Sequence, residues 1–248
     1  MIIATDNLNK IFRTETVQTS ALKDIQFSVA EGEFVALMGP SGCGKSTLMN
    51  ILGMVDTPSS GSYKFLGQEV VGASERERSR VRKANIGFIF QSFNLIDELT
   101  VLENVELPLV YNKVPVKERR QRAEQVIEKL NMQHRMHHYP LQLSGGQQQR
   151  VAVARAIVMA PKLILADEPT GNLDSTHGDE VIQILQQLNN DGSTIVMVTH
   201  SEYDAGFAHR VVRLRDGQIM SAEELAQEAA EKQAAAQSVS AEGSATVE

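Results

Sequence analysis

Four short apolar runs set the rhythm of the first two hundred residues. Phe34-Val-Ala-Leu-Met38, Ile86-Gly-Phe-Ile-Phe90, Leu163-Ile-Leu-Ala166 and Thr194-Ile-Val-Met-Val-Thr199 are largely continuous rather than alternating, the pattern of strands buried on both faces. Segments with helical spacing separate them. Residues 46–52 read as a helix, 116–130 as a charged amphipathic helix, and 145–159 as another that Pro161 stops. Strands alternating with helices predict an α/β fold with a mostly parallel sheet covered on both sides. Further on, Val211-Val-Arg-Leu-Arg215, the turn Asp216-Gly217 and Gln218-Ile-Met220 predict a hairpin that closes the fold.

The chemistry sits where these runs end. Gly39-Pro-Ser-Gly-Cys-Gly-Lys-Ser46 matches the phosphate-loop pattern Gly-x-x-x-x-Gly-Lys-Ser/Thr, directly after the first run and at the head of a helix. Gly39, Pro40, Ser41, Gly42, Cys43, Gly44, Lys45, Ser46 and Thr47 are therefore the candidate nucleotide cradle. Its glycines let main-chain N–H groups turn inward, the helix N-terminus adds partial positive charge, Lys45 reaches the β and γ phosphates, and the Ser46 hydroxyl ligates Mg²⁺. The third run ends in Asp167 and Glu168, two carboxylates at the end of a parallel strand where such sheets bind ligands. Asp167 is the candidate Mg²⁺ ligand and Glu168 the candidate general base for an in-line water. An acidic pair after a strand is by itself better read as a helix cap or a solvated turn, and the phosphate loop is what reverses that preference. His200, after the fourth run, and Gln91, after the second, complete the catalytic candidates. Gln91 offers a neutral carbonyl to Mg²⁺ or to the attacking water.

Leu143-Ser-Gly-Gly-Gln147 stands between these motifs. With it the chain resembles the ATP-binding cassette family over about residues 1–220, with the motifs in that family's order. The resemblance implies a P-loop NTPase core of RecA type, an N-terminal antiparallel β subdomain and a helical signature subdomain at about 92–158. It also implies a homodimer formed on ATP binding, in which the signature of one copy closes on the ATP held by the other. Ser144 can cap the following helix while Gly145 and Gly146 leave its N–H groups uncovered. Ser144, Gly145, Gly146 and Gln147 are then the contacts made across the dimer. Asp174, in Gly171-Asn-Leu-Asp174, becomes the cross-dimer sensor, and Phe12 takes the place of the family's adenine-stacking aromatic, unless it is a buried strand residue.

The stretches 39–61, 87–109 and 166–174 look like the macrolide-exporter and lipoprotein-release branch, whose ATPases pair with permeases of few membrane helices. The resemblance implies an ATP-hydrolysing motor of a transporter, with a cell-division type of force transmission as the near alternative. Soluble ATPases of DNA repair or translation fit less well, because this chain has one cassette and a short helical lobe. Phe93, Leu95, Ile96, Leu99 and 107–109 would form the groove for a permease helix. Asp97-Glu98 replaces the more usual Pro-containing turn there.

Composition narrows the picture further. A chain of 248 residues with 42% hydrophobic content can bury one α/β core and an appended lobe. No apolar run reaches the ~18 to 20 residues a membrane helix needs. The N-terminus has neither the basic nor the apolar stretch of a signal peptide, so a cytoplasmic chain, peripheral to the inner face of the plasma membrane, is expected. Cys43 is the one cysteine and reads as a small residue tolerated in the loop. Of the net charge of −7, residues 221–248 carry −5, and their Ala/Glu/Ser composition predicts a frayed helix passing into disorder. The run 75–83 mixes signs at helical spacing, the mark of a solvated face rather than of a nucleic-acid site. His134, His137 and His138 lack an acid or cysteine at metal-ligand spacing.

Overall fold

The computed structural model describes residues 1–13 and 16–227. It opens with β1 (Ile3–Arg13), β2 (Gln18–Ile25), β3 (Ser28–Val29), β4 (Phe34–Met38) and α1 (Lys45–Leu52), then β5 (Ser60–Phe65) and β6 (Gln68–Glu69). Next come α2 (Glu75–Asn85), β7 (Ile86–Phe90), α3 (Val101–Tyr111), α4 (Val116–Lys129) and α5 (Gly145–Ile157). The remaining elements are β8 (Leu163–Asp167), α6 (Ser175–Asn190), β9 (Thr194–Val198), α7 (Glu202–Ala205), β10 (Arg210–Arg215) and β11 (Gln218–Ile219).

All four apolar runs are parallel strands of one sheet, in the order β11-β10-β4-β9-β8-β7, with β11 as the antiparallel arm of the expected hairpin. Their continuity has the expected cause. Leu163, Leu165, Val196 and Val198 face one core, shared with α1 and the antiparallel sheet β2-β1-β5-β6, while Ile164, Ala166, Ile195 and Met197 face another built with α3, α5 and α6. Burying each of these Leu, Val, Ile and Met side chains contributes about 1.5–3 kcal/mol. Tyr63 of β5 ties the two layers by donating its hydroxyl to Leu52 O at 2.7 Å, at the end of α1.

Register then fixes the site. Leu37 lies opposite Val198, Val198 opposite Asp167, and Asp167 opposite Phe90. The residues that follow this row leave the sheet along a single edge, so Gly39, His200, Glu168 and Gln91 emerge side by side.

Helix α3 was not anticipated as a helix, although Thr100 and Glu103 form a capping box at its start. Pro108 within it masked the signal. Buried Asn104 binds the preceding loop, donating to Ile96 O and Leu99 O at 3.0 Å and accepting from Ile96 N at 2.9 Å. At the other end Ser221 caps a helical turn, accepting from Glu224 N at 3.2 Å. The acidic tail expected to be disordered lies, from 228 onward, outside the described residues.

Candidate functional site

The loop from Gly39 to Thr47 bounds a cavity of ≈ 210 Å³, lined by Ser41, Gly42, Gly44, Lys45, Ser46 and Thr47 together with Ala21, Glu168 and His200. Gly39 has φ 149, and a Cβ there would stand 2.2 Å from Leu214 O and 2.8 Å from Cys43 Sγ, so only glycine lets the loop pass β10. Cys43 is buried in the core beneath the loop. Buried Lys45 donates to Gly39 O and Pro40 O, both at 2.8 Å, which holds its ammonium inside the loop.

Asp167, at the end of β8, does not itself line this cavity; burial pushes its carboxyl up, and the neighbouring Glu168 adds to this against the opposing charges of Lys45 and His200. Glu168 adopts a left-handed backbone (φ 45), its N–H donating to Val198 O at 2.9 Å. Such a conformation costs a non-glycine residue roughly 1–2 kcal/mol and aims its side chain away from the strand. One carboxylate oxygen, Oε1, lies 2.7 Å from His200 Nε2. Gln91 turns toward the 171–172 turn: its Nε2 donates to Asn172 Oδ1 at 3.2 Å and its main-chain O accepts from Asn172 Nδ2 at 3.0 Å. The Ser46 hydroxyl, the Asp167 carboxylate and the Gln91 carbonyl are hard oxygen donors, the set that suits Mg²⁺. A carboxylate disfavoured by burial and by a second acid is stabilised in its ionised form by such a cation.

Several supporting residues escaped the sequence reading. Gln149 of α5 is fully buried and donates to Pro169 O at 2.6 Å, next to Glu168. Thr170 donates to buried Asp204 of α7 at 2.7 Å. Arg155 of α5 donates to Phe93 O at 2.8 Å and to Asn94 O, clamping two consecutive residues with φ 60 and 50. A glutamine among three and an arginine on a polar helix look like solvated residues in sequence, and only packing turns them inward.

The signature begins α5. Ser144 Oγ accepts from Gln147 N at 3.3 Å and Gln147 Oε1 accepts from Ser144 N at 3.1 Å, so both side chains cap their own helix. Gly146 is buried against His177 of α6, whose Nδ1 lies 2.6 Å from Asp174 Oδ2 and whose N–H donates to Asp174 Oδ1 at 3.0 Å. These hydrogen bonds, the backbone one foremost, hold the Asp174 carboxyl below its usual range. Neither Asp174 nor residues 144–147 line the phosphate-loop cavity. Phe12 stands 46% exposed on β1, with the Lys10 ammonium 4.9 Å from its ring centroid, and is thus no buried strand residue.

The residues expected to receive a permease helix do not share one surface. A cavity of ≈ 370 Å³ is lined by Phe88, Phe90, Ile96, Leu107, Pro108 and Tyr111, among others. Leu95 instead packs on the helical core, Leu109 is fully buried within it, and Leu99, half-buried, turns its carbonyl to Asn104. Phe93 faces Gly145, where a Cβ would lie 3.7 Å from its ring. The inner faces of the loop and of α3 are needed by the core, and of the expected residues only Ile96, Leu107 and Pro108 line this cavity.

Known proteins share this architecture. The chain is 48% identical over 220 residues to the macrolide export ATP-binding/permease protein MacB of Azoarcus sp., which covers 89% of this chain and 34% of that protein. It thus spans about a third of the macrolide export relatives it matches. It is 50% identical over 219 residues to an uncharacterized ABC transporter ATP-binding protein of Methanocaldococcus jannaschii, covering 88% of this chain and 98% of that one. The dimeric post-hydrolysis structure of the ATP-binding cassette MJ0796 bound to ADP and Pi superposes with TM-score 0.82 at 42% identity, over 88% of this chain and 97% of that chain. The family model for ABC transporters matches residues 22–171, more than half the chain, and the protein belongs to that family as one of its ATPase cassettes.

Proposed function

We propose that this cassette is the ATP-hydrolysing motor of a membrane transporter, acting as a homodimer with two ATP molecules at the interface. Residues 1–220 form the nucleotide-binding unit and the acidic 221–248 segment is an appendage. The observation that carries this reading is the split of the motifs. The phosphate loop, Glu168 and His200 share one cavity, while the capped N-terminus of α5 stands outside it. That N-terminus favours an anion yet lies outside its own copy's phosphate-loop cavity, and the nucleotide of a second copy would supply one. The dimeric arrangement of MJ0796 with ADP and Pi supports it.

In this mechanism the loop N–H groups and Lys45 bind the phosphates, and Phe12 stacks on the base. Ser46, Asp167 and Gln91 would hold Mg²⁺, which when bound would supply neutralisation of phosphate charge. Glu168 takes the proton of the attacking water, and His200, bonded to Oε1, fixes the carboxylate so that its other oxygen faces that water. From the partner copy, Ser144, Gly145, Gly146 and Gln147 close over the γ-phosphate and Asp174 lies beside them. A permease helix seats on Ile96, Leu107 and Pro108. Its motion reaches Gln91 through the loop that Asn104 and Arg155 hold, and α5 carries it to Glu168 through Gln149. Among the described residues no helix is long and apolar enough to cross a membrane. In this reading the membrane-spanning part is supplied by a permease, with the cassette docked on its cytoplasmic face.

Glu168→Gln tests the reading. ATP binding should persist, turnover should fall by about 10²–10⁴-fold, and a dimer should accumulate on size exclusion with ATP and Mg²⁺. Purified from detergent-solubilised membranes, the variant should bring down a few-helix permease identifiable by mass spectrometry. Turnover at the wild-type rate would overturn the role of Glu168, and recovery of only a soluble partner would overturn the transporter reading.

A further inference from the structure

We infer that the cleft between α2 and the end of α3 is a binding surface for anionic lipid headgroups of the membrane beside the permease. The inference rests on the permease docking reading only for its location. Helix α2 buries none of its residues yet carries Arg76, Arg78, Arg80, Arg82 and Lys83. Its acids are already engaged: Glu75 pairs with Arg78 at 2.7 Å and Arg82 at 3.2 Å, and Glu77 accepts from Ser74 N at 2.9 Å and Ser74 Oγ at 2.7 Å. Arg76, Arg80 and Lys83, spaced i, i+4, i+7, fall on one helix face. With Lys113 from the other side they line a cleft of ≈ 850 Å³ in which Glu77 is the sole acid. All four cations are exposed, and no ion pair to them is found among the described residues. The mixed-sign run of the sequence therefore folds into a sorted helix, with its paired charges on one side and its surplus cations on the other.

Exposed cations spread along an open cleft suit a field of headgroups better than a single buried ion. Tyr111 lines both this cleft and the apolar groove, so the two surfaces are continuous. A permease helix seated in the groove would bring the cleft to the bilayer surface. The chain as a whole is anionic, at −7, so attraction to an anionic membrane must come from a local patch such as this one.

The test is co-sedimentation of the purified chain with phosphatidylglycerol-containing vesicles against pure phosphatidylcholine vesicles, at an ionic strength of about 0.01 M where screening is weakest. Each basic residue near an anionic surface is worth roughly fivefold in partitioning, so the triple variant Arg76→Gln, Arg80→Gln, Lys83→Gln should bind anionic vesicles roughly 100-fold more weakly. Its soluble ATPase activity should be unchanged, and it should still co-purify with the permease from detergent. Equal sedimentation of the wild type with both vesicles, or of the triple variant and the wild type with anionic ones, would overturn the inference. So would loss of permease recovery with vesicle binding unchanged, which would assign the cleft to an acidic permease segment. If no permease co-purifies while vesicle binding responds as stated, the docking reading fails and the lipid surface stands.

Discussion

Replacing Gly146 with alanine adds one methyl group where α5 meets α6. Built on the present backbone, that carbon lies 2.4 Å from His177 Cδ2, 2.8 Å from Cγ and 3.0 Å from Cβ. The ring cannot simply swing away, because its Nδ1 contact of 2.6 Å to Asp174 would be lost. Overpacking of this kind costs about 1–3 kcal/mol. Alanine also favours a helix over glycine by up to about 1 kcal/mol, so the net loss should be roughly 0–2 kcal/mol, with Tm falling about 2–4 °C for each kcal/mol at this chain length. A double-mutant cycle with His177→Ala separates the two effects. With the ring gone, Gly146→Ala should become neutral or stabilising, giving a coupling energy of about 1–3 kcal/mol in thermal or urea denaturation. Coupling below about 0.5 kcal/mol would refute the argument that Gly146 is required by His177. Gly146→Asp is a poor probe of the proposed cross-dimer contact, since any turnover defect would mix this clash with the charge that contact would place against the γ-phosphate. Gly145→Asp is cleaner, because a Cβ there meets only ordinary contact, 3.4 Å from Leu173 Cδ2.

The raised Asp167 carboxyl makes ionisation costly in the folded state. Stability is therefore lost as pH rises from the ordinary carboxylate value of 3.8 through the raised folded value, and stays lower above it. Nucleotide-free Asp167→Asn should accordingly melt higher than wild type at about pH 7, the gap should close below about pH 4, and Mg²⁺ with ATP should reverse the order; a variant melting lower throughout would refute the desolvation argument. Arg155→Ala releases the turn at Phe93 and Asn94. Loss of its charge-assisted hydrogen bonds costs about 1.5–3 kcal/mol, so amide exchange across 92–97 should quicken while basal ATPase changes less than permease-stimulated ATPase. Gln149→Met leaves Pro169 O without its buried donor, costing about 1–3 kcal/mol. It should lower kcat with little change in ATP affinity, and an unchanged kcat would remove Gln149 from the positioning of Glu168.

Burial periodicity and motif context are local, and they were legible in the sequence. Leu163-Ile-Leu-Ala166 could announce a strand covered on both faces because alternate side chains go to different cores and both cores are apolar. The phosphate loop, Asp167, Glu168 and His200 could be placed at one end of the sheet because each follows such a strand, and parallel strands end together. Ser144 caps α5 as its position before the helix foretold, while the return bond from Gln147 came only with the structure. Tertiary structure alone decided which polar group meets which. Gln149 reaches Pro169, Arg155 reaches Phe93, Asn104 reaches Ile96 and Gly146 meets His177. It also turned Leu95 and Leu109 into the core and left Ile96 on the surface, and it set the Glu75 ion pairs of α2 on one face and Arg76, Arg80 and Lys83 on another. The reason is that a sequence pattern encodes how deeply a position is buried, whereas the partner it finds there depends on how one helix sits on another, a relation between residues far apart in the chain.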